Sequence, residues 1–342
     1  MKNHRAFGIT VLLARLLLVA SVVCWLGNLS PSLAQEKKTI RLVVVSLAWS
    51  SQLPISVAIA KNYFKEQGLQ IEPIFIRGGP AAMAALVSGD VDFGSIGGAQ
   101  AVIRARARGL NVSIIGSVSN SVNYAVVGAQ GIKSVADLKS KIIGVTGAGS
   151  FSDFAMRLFF RKHNLDPEKE VILRAVGNTT MRAAALEKGI ISAAPFTPED
   201  AVRLTDRGFP LIANLNEELA IPQSILITRD DVLQKQPETT KKFLKAMILG
   251  IQTAKKNKKE AIKAGFDAGL KGDPELVQKA YDLYAPGYTT DLTVARDGIQ
   301  HMLDEDIRSG VVDKHVTVDS VINDHVLKLA RDELKKEGRL NP

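Results

Sequence analysis

Small polar residues stand at the ends of the predicted strands in both halves of this chain. In an open parallel sheet, the carboxyl ends of the strands meet helix N-termini at one edge, where ligands bind. The N–H groups and partial positive charge there attract carboxylate, sulfonate or phosphate groups. We therefore expect a site for a small polar or anionic solute, with Trp49 as an aromatic wall. The candidate ligand-binding residues are Ser46, Trp49, Ser51, Gly78, Gly79, Ser95, Gly97, Asn123, Thr146, Gly149, Ser150, Asn178, Thr179, Phe196 and Thr197.

Each of these residues, taken alone, also fits an ordinary turn or helix cap, because serine, threonine, asparagine and glycine are common there. Their recurrence at the same end of successive units favours binding. The recurrence follows an internal repeat with an offset of 100 residues, which aligns Ala84–Gly89 with Ala184–Gly189 and Arg41–Ser46 with Lys141–Thr146. Two copies of one β-α-β-α-β unit predict two related lobes with a gap between them.

The elements around the candidate residues predict an α/β fold in which each lobe is a mixed, mainly parallel sheet flanked by helices. The chain is expected to cross between the lobes twice, so that residues 38–123 and 225–342 form lobe one and residues 124–224 form lobe two. The segment after residue 229 has helical periodicity and is expected to pack on lobe one. Its predicted helices span 239–256, 258–268, 274–284, 293–309 and 318–337.

Several helix starts are marked by capping residues. Ser51 is expected to cap the first helix, with Pro54 near its first turn. Ser134 and Asp137 have the spacing of a capping box, as do Thr197 and Asp200. The segment that starts at Asn178 is expected to cap the alanine-rich helix of the second unit.

The composition is that of a globular protein with a substantial core. The 342 residues are 46% hydrophobic and 23% charged, with a formal net charge of +9. Three of these positive charges lie in the first 34 residues, and the others are spread along helices. We expect a solvated surface rather than a nucleic-acid interface. The basic cluster Lys255–Lys259 is interpreted as an exposed helix end favoured by the helix dipole.

Residues 1–34 are interpreted as a cleaved secretory signal peptide. A basic start precedes an apolar run, and Ser32 and Ala34 supply small residues at a cleavage site. An uncleaved membrane anchor and a lipid anchor at Cys24 are the alternatives. Cleavage after Ala34 would leave no cysteine, which excludes disulfides, thiol catalysis and cysteine-bound metals.

The sequence does not match the enzyme motifs that its glycines, serines and histidines could suggest. The glycines of Gly144–Gly149 are not followed by the lysine of a P-loop, and the five histidines show no metal-ligand spacing. We predict neither a metal site nor a cofactor. Asp90 and Asp92 are interpreted as one turn or cap residue and one structural hydrogen-bond acceptor, rather than as a catalytic pair.

The chain resembles the periplasmic solute-binding proteins of ABC importers, closest to the alkanesulfonate, taurine, nitrate and thiamine-pyrimidine type. The resemblance covers nearly the whole chain after the signal segment. It is carried by the signal peptide and by Ser46, Pro54 and Ala58, Gly78-Gly79, Leu86–Gly94, Ser95, Ile142–Ser150 and the helical tail. Residues that fall on ligand-loop positions of the family are Ser46, Trp49, Gly79, Ser95, Thr146, Ser150, Asn178 and Thr197.

The resemblance implies a type II periplasmic binding protein fold, two hinge crossings, no chemistry, and delivery of a small solute to a membrane permease by a periplasmic monomer. The chain departs from the family pattern at Ser192, where an aspartate often stands. No arginine is clearly placed in the cleft, and Arg77 and Arg182 are the nearest candidates. The alternative is an enzyme on the same fold, similar to thiamine-pyrimidine synthases or to dehydratases. Those synthases carry a cysteine-rich motif that this chain lacks.

Overall fold

The computed structural model describes residues 38–340, so the predicted signal peptide and Cys24 lie outside the described residues. The strands are β1 (Lys38–Val44), β2 (Leu69–Phe75), β3 (Phe93–Gly97), β4 (Val112–Ser119), β5 (Ala125–Gly128), β6 (Ile142–Val145), β7 (Ile172–Ala175), β8 (Ala193–Phe196), β9 (Leu211–Asn214) and β10 (Ser224–Arg229). The first eight helices are α1 (Trp49–Ala60), α2 (Tyr63–Glu66), α3 (Gly79–Ser88), α4 (Gln100–Ala107), α5 (Phe151–Lys162), α6 (Thr179–Glu187), α7 (Pro198–Thr205) and α8 (Leu215–Glu218). The remaining α-helices are α9 (Asp230–Lys235), α10 (Pro237–Lys256), α11 (Lys258–Asp267), α12 (Pro274–Tyr284), α13 (Arg296–Arg308), α14 (Val318–Val321) and α15 (His325–Lys336).

Two five-stranded sheets form the framework. The first has the order β2-β1-β3-β10-β4, and the second has the order β7-β6-β8-β5-β9. In each sheet the fourth strand, β10 or β5, runs antiparallel to both neighbours, and the strands at the other end of the sheet pair in parallel. The prediction of mixed, mainly parallel sheets is confirmed. The repeat is visible in the matching sheet orders.

The chain passes between the two sheets twice. It leaves the first sheet at Ser119, enters the second at Ala125, leaves the second at Asn214 and returns to the first at Ser224. We call the part built on the first sheet the first lobe and the part built on the second sheet the second lobe. The limits predicted for the lobes, at residues 124 and 225, stay a prediction.

The start of α1 differs from the prediction. The helix begins at Trp49 after the N-cap Ala48, so Ser51 lies in its first turn and does not cap it. Pro54 therefore lies inside the helix and has no N–H to donate to the carbonyl of Ser50. The Tyr288 hydroxyl donates to that carbonyl oxygen at 2.8 Å. A distant side chain thus supplies the hydrogen bond that the helix lacks.

Most helices after residue 229 match their predicted ranges, but the last one does not. The range 318–337 contains two helices, α14 and α15, separated at Ile322. Ile322 is extended and forms a parallel bridge with Ile114 on β4, and the N–H of Asn323 donates to the Ile114 carbonyl at 2.9 Å. Hydrogen bonds to the sheet edge replace those of a continuous helix. The tail packs mainly on the first lobe, with α10 and α11 against α1 and α15 against α10.

Two of the predicted caps are confirmed. The Asn178 side chain accepts from the N–H of Met181 at 2.9 Å, and Thr197 accepts from the N–H of Asp200 at 3.5 Å. Around Asp137 only a short 3₁₀ turn forms, and its carboxylate accepts from backbone N–H groups that precede it. Within residues 38–340, no helix combines the length and hydrophobicity needed to cross a membrane.

Candidate functional site

A cavity of about 1430 Å³ lies between the two lobes, at the carboxyl ends of β1, β3, β6 and β8. All the predicted ligand-binding residues except Phe196 line it. From the first lobe these are Ser46, Trp49, Ser51, Gly78, Gly79, Ser95 and Gly97, with Asn123 in the first crossing segment. From the second lobe they are Thr146, Gly149, Ser150, Asn178, Thr179 and Thr197. The structure therefore brings together residues from both copies of the repeat.

Phe196 does not line the cavity. It is the last residue of β8, and its side chain is fully buried in the apolar core of the second lobe with Val127, Ala185 and Leu204. The expectation that Phe196 contacts a solute is corrected, because its ring faces this core. A strand in a two-sided core places apolar side chains on both faces, so the sequence pattern does not distinguish the face near the cavity.

The indole N–H of Trp49 already has an acceptor within the protein. Its indole Nε1 donates to the carbonyl of Lys271 at 2.8 Å, and its ring packs edge-on against Phe266 at a centroid distance of 4.7 Å. The indole is buried in the core of the first lobe. Trp49 therefore forms part of the cavity wall with its N–H group already bonded.

Several of the predicted hydroxyl, amide and backbone N–H groups already form hydrogen bonds within the protein. Ser150 caps α5 by accepting from the N–H of Asp153 at 3.3 Å, and the N–H of Gly149 donates to the Asp153 carboxylate at 2.9 Å. Asn178 and Thr197 cap α6 and α7. These residues line the cavity and are helix caps at the same time. The sequence analysis allowed each candidate residue to be an ordinary helix cap, and Ser150, Asn178 and Thr197 do have this role.

Arg182 is a buried arginine at the cavity whose guanidinium is only partly hydrogen-bonded. It lies in α6, lines the cavity and is only 1% exposed. Its Nη1 donates to Thr146 Oγ1 at 2.7 Å and to the Gly177 carbonyl at 3.0 Å, whereas its Nε has no acceptor. Among residues 38–340 no carboxylate forms an ion pair with it. Burial lowers the pKa of Arg182, against the charges of Tyr124 and Asp200, because desolvation disfavours the charged guanidinium.

Other buried polar groups without partners lie around the same cavity. Both amide atoms of Gln100, Oδ1 of Asn123 and Oε2 of Glu199 lack a hydrogen-bond partner, and all three residues line the cavity. Gln100 and Glu199 were not among the predicted residues. Gln100 stands two residues after Gly98 at a helix start, and Glu199 lies between Pro198 and Asp200 in a segment interpreted only as a cap. Those neighbouring motifs are the sequence signals that could have identified them.

The lobes contact each other around the cavity. The N–H of Ser50 in α1 donates to Glu199 Oε1 in α7 at 3.3 Å, and Arg104 Nη1 in α4 donates to the Gly149 carbonyl at 3.1 Å. The Phe151 ring lies so close to Gly98 that a Cβ at this position would overlap with the ring. Gly98 has φ of +75°, a conformation that glycine adopts without strain. Both the space and the backbone at this contact require glycine.

The two aspartates of the Gly89–Gly94 segment have structural roles, as predicted. Asp92 Oδ2 accepts from the N–H of Arg41 at 2.8 Å, and Asp90 Oδ2 accepts from the Ser88 hydroxyl at 2.6 Å. In the described part of the chain, no group of three or more histidine, cysteine, aspartate or glutamate side chains could hold a metal ion.

The family follows from a comparison with family models. The model described as "NMT1/THI5 like" matches residues 49–261, a segment that carries most of the cavity lining. The chain belongs to the NMT1/THI5-like family. The resemblance predicted from the sequence is thereby confirmed at the level of the family.

Known proteins are similar to this NMT1/THI5-like chain in sequence or in structure. Bacillus subtilis YtlA, which is named only provisionally as a binding protein, is 23% identical over 295 residues, covering 82% of this chain and 86% of YtlA. A Methylobacillus flagellatus structure, named provisionally as the periplasmic sulfonate-binding protein SsuA of an ABC transporter, is 20% identical with a TM-score of 0.71. It covers 90% of this chain and 98% of its own.

The periplasmic nitrate-binding protein NrtA from Synechocystis PCC 6803 is 14% identical, with a TM-score of 0.70 over 90% of this chain and 91% of NrtA. These structural likenesses confirm the two-lobed periplasmic binding protein fold. The two named ligands differ, so the fold alone does not determine the solute.

Proposed function

We propose that this chain is the substrate-binding component of an ABC import system. It captures a small polar or anionic organic solute in the cavity between the lobes and delivers it unchanged to a membrane permease. The proposed protein is a periplasmic monomer, exported by the signal segment at residues 1–34, with hinges at the two crossings between the lobes. The main observation in support of this proposal is that one cavity is surrounded by unpartnered polar atoms, which belong to Gln100, Asn123, Arg182 and Glu199.

These groups support binding because buried polar atoms without partners are unfavourable. Each costs roughly 1–3 kcal/mol, and more when the group is charged. Arg182 is both buried and without a carboxylate partner, so a solute with an acidic group would offset its desolvation. A rigid fork of N–H donors also suits the geometry of carboxylate, sulfonate and phosphate groups.

Residues from both lobes line the cavity, which supports a mechanism of closure. A solute that contacts both lobes only when they are close together shifts the equilibrium from separated lobes towards adjoining lobes. No covalent step is needed for this function. Recovery of the bound solute by mass spectrometry should therefore return it chemically unchanged.

The test is a thermal-shift screen of the purified protein with sulfonates, taurine, nitrate, thiamine-pyrimidine precursors and carboxylates. A solute at 100 times its Kd should stabilise the fold by about 2.7 kcal/mol, which raises Tm by a few degrees. Arg182→Gln should remove this stabilisation. Arg174→Gln, on an exposed arginine outside the cavity, should keep it.

Arg182→Gln could also disturb the fold, so its circular dichroism and unliganded Tm must be compared with the parent protein. Arg182→Lys, which keeps the charge and loses the planar fork, provides a second variant with an expected intermediate affinity. The proposal fails if the folded Arg182→Gln variant binds every acid as the Arg174→Gln variant does.

A further inference from the structure

Helix α7 of the second lobe lies between two helices that pack with the first lobe. On one side, the N–H of Ser50 in α1 donates to Glu199 Oε1 in α7 at 3.3 Å. On the other side α12 packs on α7, and Tyr284 of α12 belongs to the apolar core of the first lobe. At the end of α7, Lys279 Nζ of α12 lies 3.1 Å from Asp206 Oδ2. The lobes therefore adjoin along α7.

Glu199 lies inside this contact between the lobes. The residue is 8% exposed, and its Oε2 has no hydrogen-bond partner. Among residues 38–340, no lysine, arginine or histidine forms an ion pair with it. A buried carboxylate without a cationic partner is unfavourable in its charged form. Contact between the lobes and a negative charge on Glu199 therefore oppose each other.

The other groups that face Glu199 do not neutralise its charge. On α7, Asp200 is a second carboxylate, and it pairs with Arg203 at 2.7 Å. From α12 and the segment after it come the buried hydroxyl groups of Tyr284 and Tyr288. Burial raises the pKa of both tyrosines, and the charge of Glu199 adds to the shift, so both stay neutral. The start of α1 contributes one backbone N–H and the positive end of its dipole.

Burial raises the pKa of Glu199 above its ordinary value of 4.5, although hydrogen bonds, including the one from Ser50, act in the opposite direction. Separation of the lobes would remove α1 and α12 from the carboxyl group and return it to water, where the ordinary value applies. Adjoining lobes therefore hold the proton more tightly than separated lobes. By linkage, protonation stabilises the adjoining lobes below about pH 4.5, and this stabilisation is lost as the pH rises through the raised pKa.

We propose that Glu199 is a pH-sensitive switch between the lobes: the neutral carboxyl group favours adjoining lobes around α7, and the carboxylate favours separated lobes. The inference rests on the closure in the proposed function and adds its regulation. Because one proton is released to solvent on separation, the ratio of adjoining to separated lobes should fall by up to about tenfold per pH unit. Solute capture should then be stronger in acidic than in alkaline surroundings.

The experiment measures the distance between the lobes in the solute-free protein by pulsed electron paramagnetic resonance. Spin labels are attached to cysteines at the exposed positions Gln70 on β2 and Lys188 after α6, in a Cys24→Ser background. Glu199→Gln, which is neutral at every pH, should show one distance distribution at pH 4.5 and pH 8. The parent protein should match it at pH 4.5 and gain a second, separated population at pH 8. A parent distribution that is the same at both pH values would overturn the inference.

Two controls assign the response to Glu199. Asp206→Asn removes an exposed ion pair at the same contact, so it should follow the parent pH profile. His163 Nε2 lies 3.6 Å from Glu218 Oε1, and histidine also changes charge near neutral pH. A pH response retained in Glu199→Gln would assign the effect to such a group and overturn the inference. Circular dichroism checks the fold of each variant, and Glu199→Met is a second neutral replacement if Glu199→Gln does not fold.

The outcomes separate this inference from the function on which it rests. The distance measurement uses no solute, so a constant distance overturns the switch, whereas a solute found by the thermal-shift screen still supports solute capture. A pH-dependent distance that disappears in Glu199→Gln supports the switch. If no solute shifts Tm at pH 4.5 or at pH 8, solute capture is overturned, and the distance result still decides the switch.

Discussion

The carboxylate of Glu199 in α7 accepts a hydrogen bond from the backbone N–H of Ser50 at the start of α1, across the boundary between the lobes, at 3.3 Å. Glu199 is buried, and its second oxygen has no partner. The first turn of α1 contributes the positive end of its helix dipole to this contact. One acidic side chain of the second lobe thus interacts with a helix terminus of the first.

Stability should depend on pH through Glu199. Burial raises the pKa of Glu199 above its ordinary value of 4.5, because desolvation disfavours the carboxylate more than its hydrogen bonds favour it. The folded state then holds the proton more tightly than the unfolded state. The resulting stabilisation is present below about pH 4.5 and is lost as the pH rises through the raised pKa.

Glu199→Gln, which is neutral at every pH, should lose this dependence. The Tm of the parent protein relative to Glu199→Gln is expected to fall as the pH is raised from 4.5 to 8, as measured by circular dichroism. Glu72→Gln, on an exposed glutamate of β2, is the control and should follow the parent profile. Parallel profiles for the parent and Glu199→Gln would contradict the prediction.

Gly250 allows α10 to approach α1 closely. A Cβ at this position would lie 2.6 Å from the Pro54 carbonyl oxygen and 2.7 Å from Ala58 Cβ. Gly250→Ala gains helix propensity of about 1 kcal/mol, but overpacking costs typically 1–3 kcal/mol. We expect a net loss of stability in urea denaturation. Gly147→Ala, where a Cβ meets nothing within 4 Å, should show no such loss, and a stabilised Gly250→Ala would contradict this account.

Lys245 holds α15 on α10 through two charged hydrogen bonds. Its Nζ lies 2.8 Å from Glu333 Oε1 and 2.6 Å from Glu337 Oε1. Burial alone would lower the pKa of Lys245, but the bonds and charges of the two glutamates outweigh it and raise the pKa. Replacing both glutamates by glutamine leaves a buried ammonium without a carboxylate partner. We expect Tm to fall by several degrees.

The control for this double variant is Glu275→Gln, which removes an exposed ion pair with Lys279 and should change Tm little. Limited proteolysis adds a local measurement, since loosening of α15 should produce early cleavage near residue 322. Equal Tm values for the two variants would show that the Lys245 cluster does not stabilise the docking of α15.

Trp49 should report solute binding. Its Nε1 donates to the Lys271 carbonyl, and Lys271 and Gly272 both line the cavity. In a Trp25→Phe variant, Trp49 is the only tryptophan, and its burial predicts blue-shifted emission with weak quenching by acrylamide. Saturation with a solute identified by thermal shift should change this emission, because the Lys271 segment contacts the ring. Unchanged emission at saturation would contradict the coupling.

Features encoded by neighbouring residues could be predicted from the sequence. The caps at Asn178 and Thr197 depend on hydrogen bonds to residues three positions away. The sheets follow from apolar runs and from the repeat, whose members lie a hundred residues apart. Placement of small polar residues at the cavity then follows from the general geometry of parallel sheets.

Features that depend on distant partners could not be predicted. The start of α1 involves Tyr288, and the break before α15 involves Ile114. Whether Phe196 faces the core or the cavity depends on how both layers pack. The significance of Arg182 is that no carboxylate pairs with it, and this absence is visible only once residues 38–340 have been placed.

The position of β10 in the first sheet has a consequence for the order of assembly. All five strands of the second sheet lie within residues 125–214, whereas β10, at Ser224–Arg229, inserts between β3 and β4. A chain emerging from its N-terminus can therefore complete the second sheet while β3 and β4 still lack the strand that joins them. The second lobe, which starts later in the chain, is therefore the first that can finish folding. The first lobe can finish only after the chain has passed through the second lobe and supplied β10.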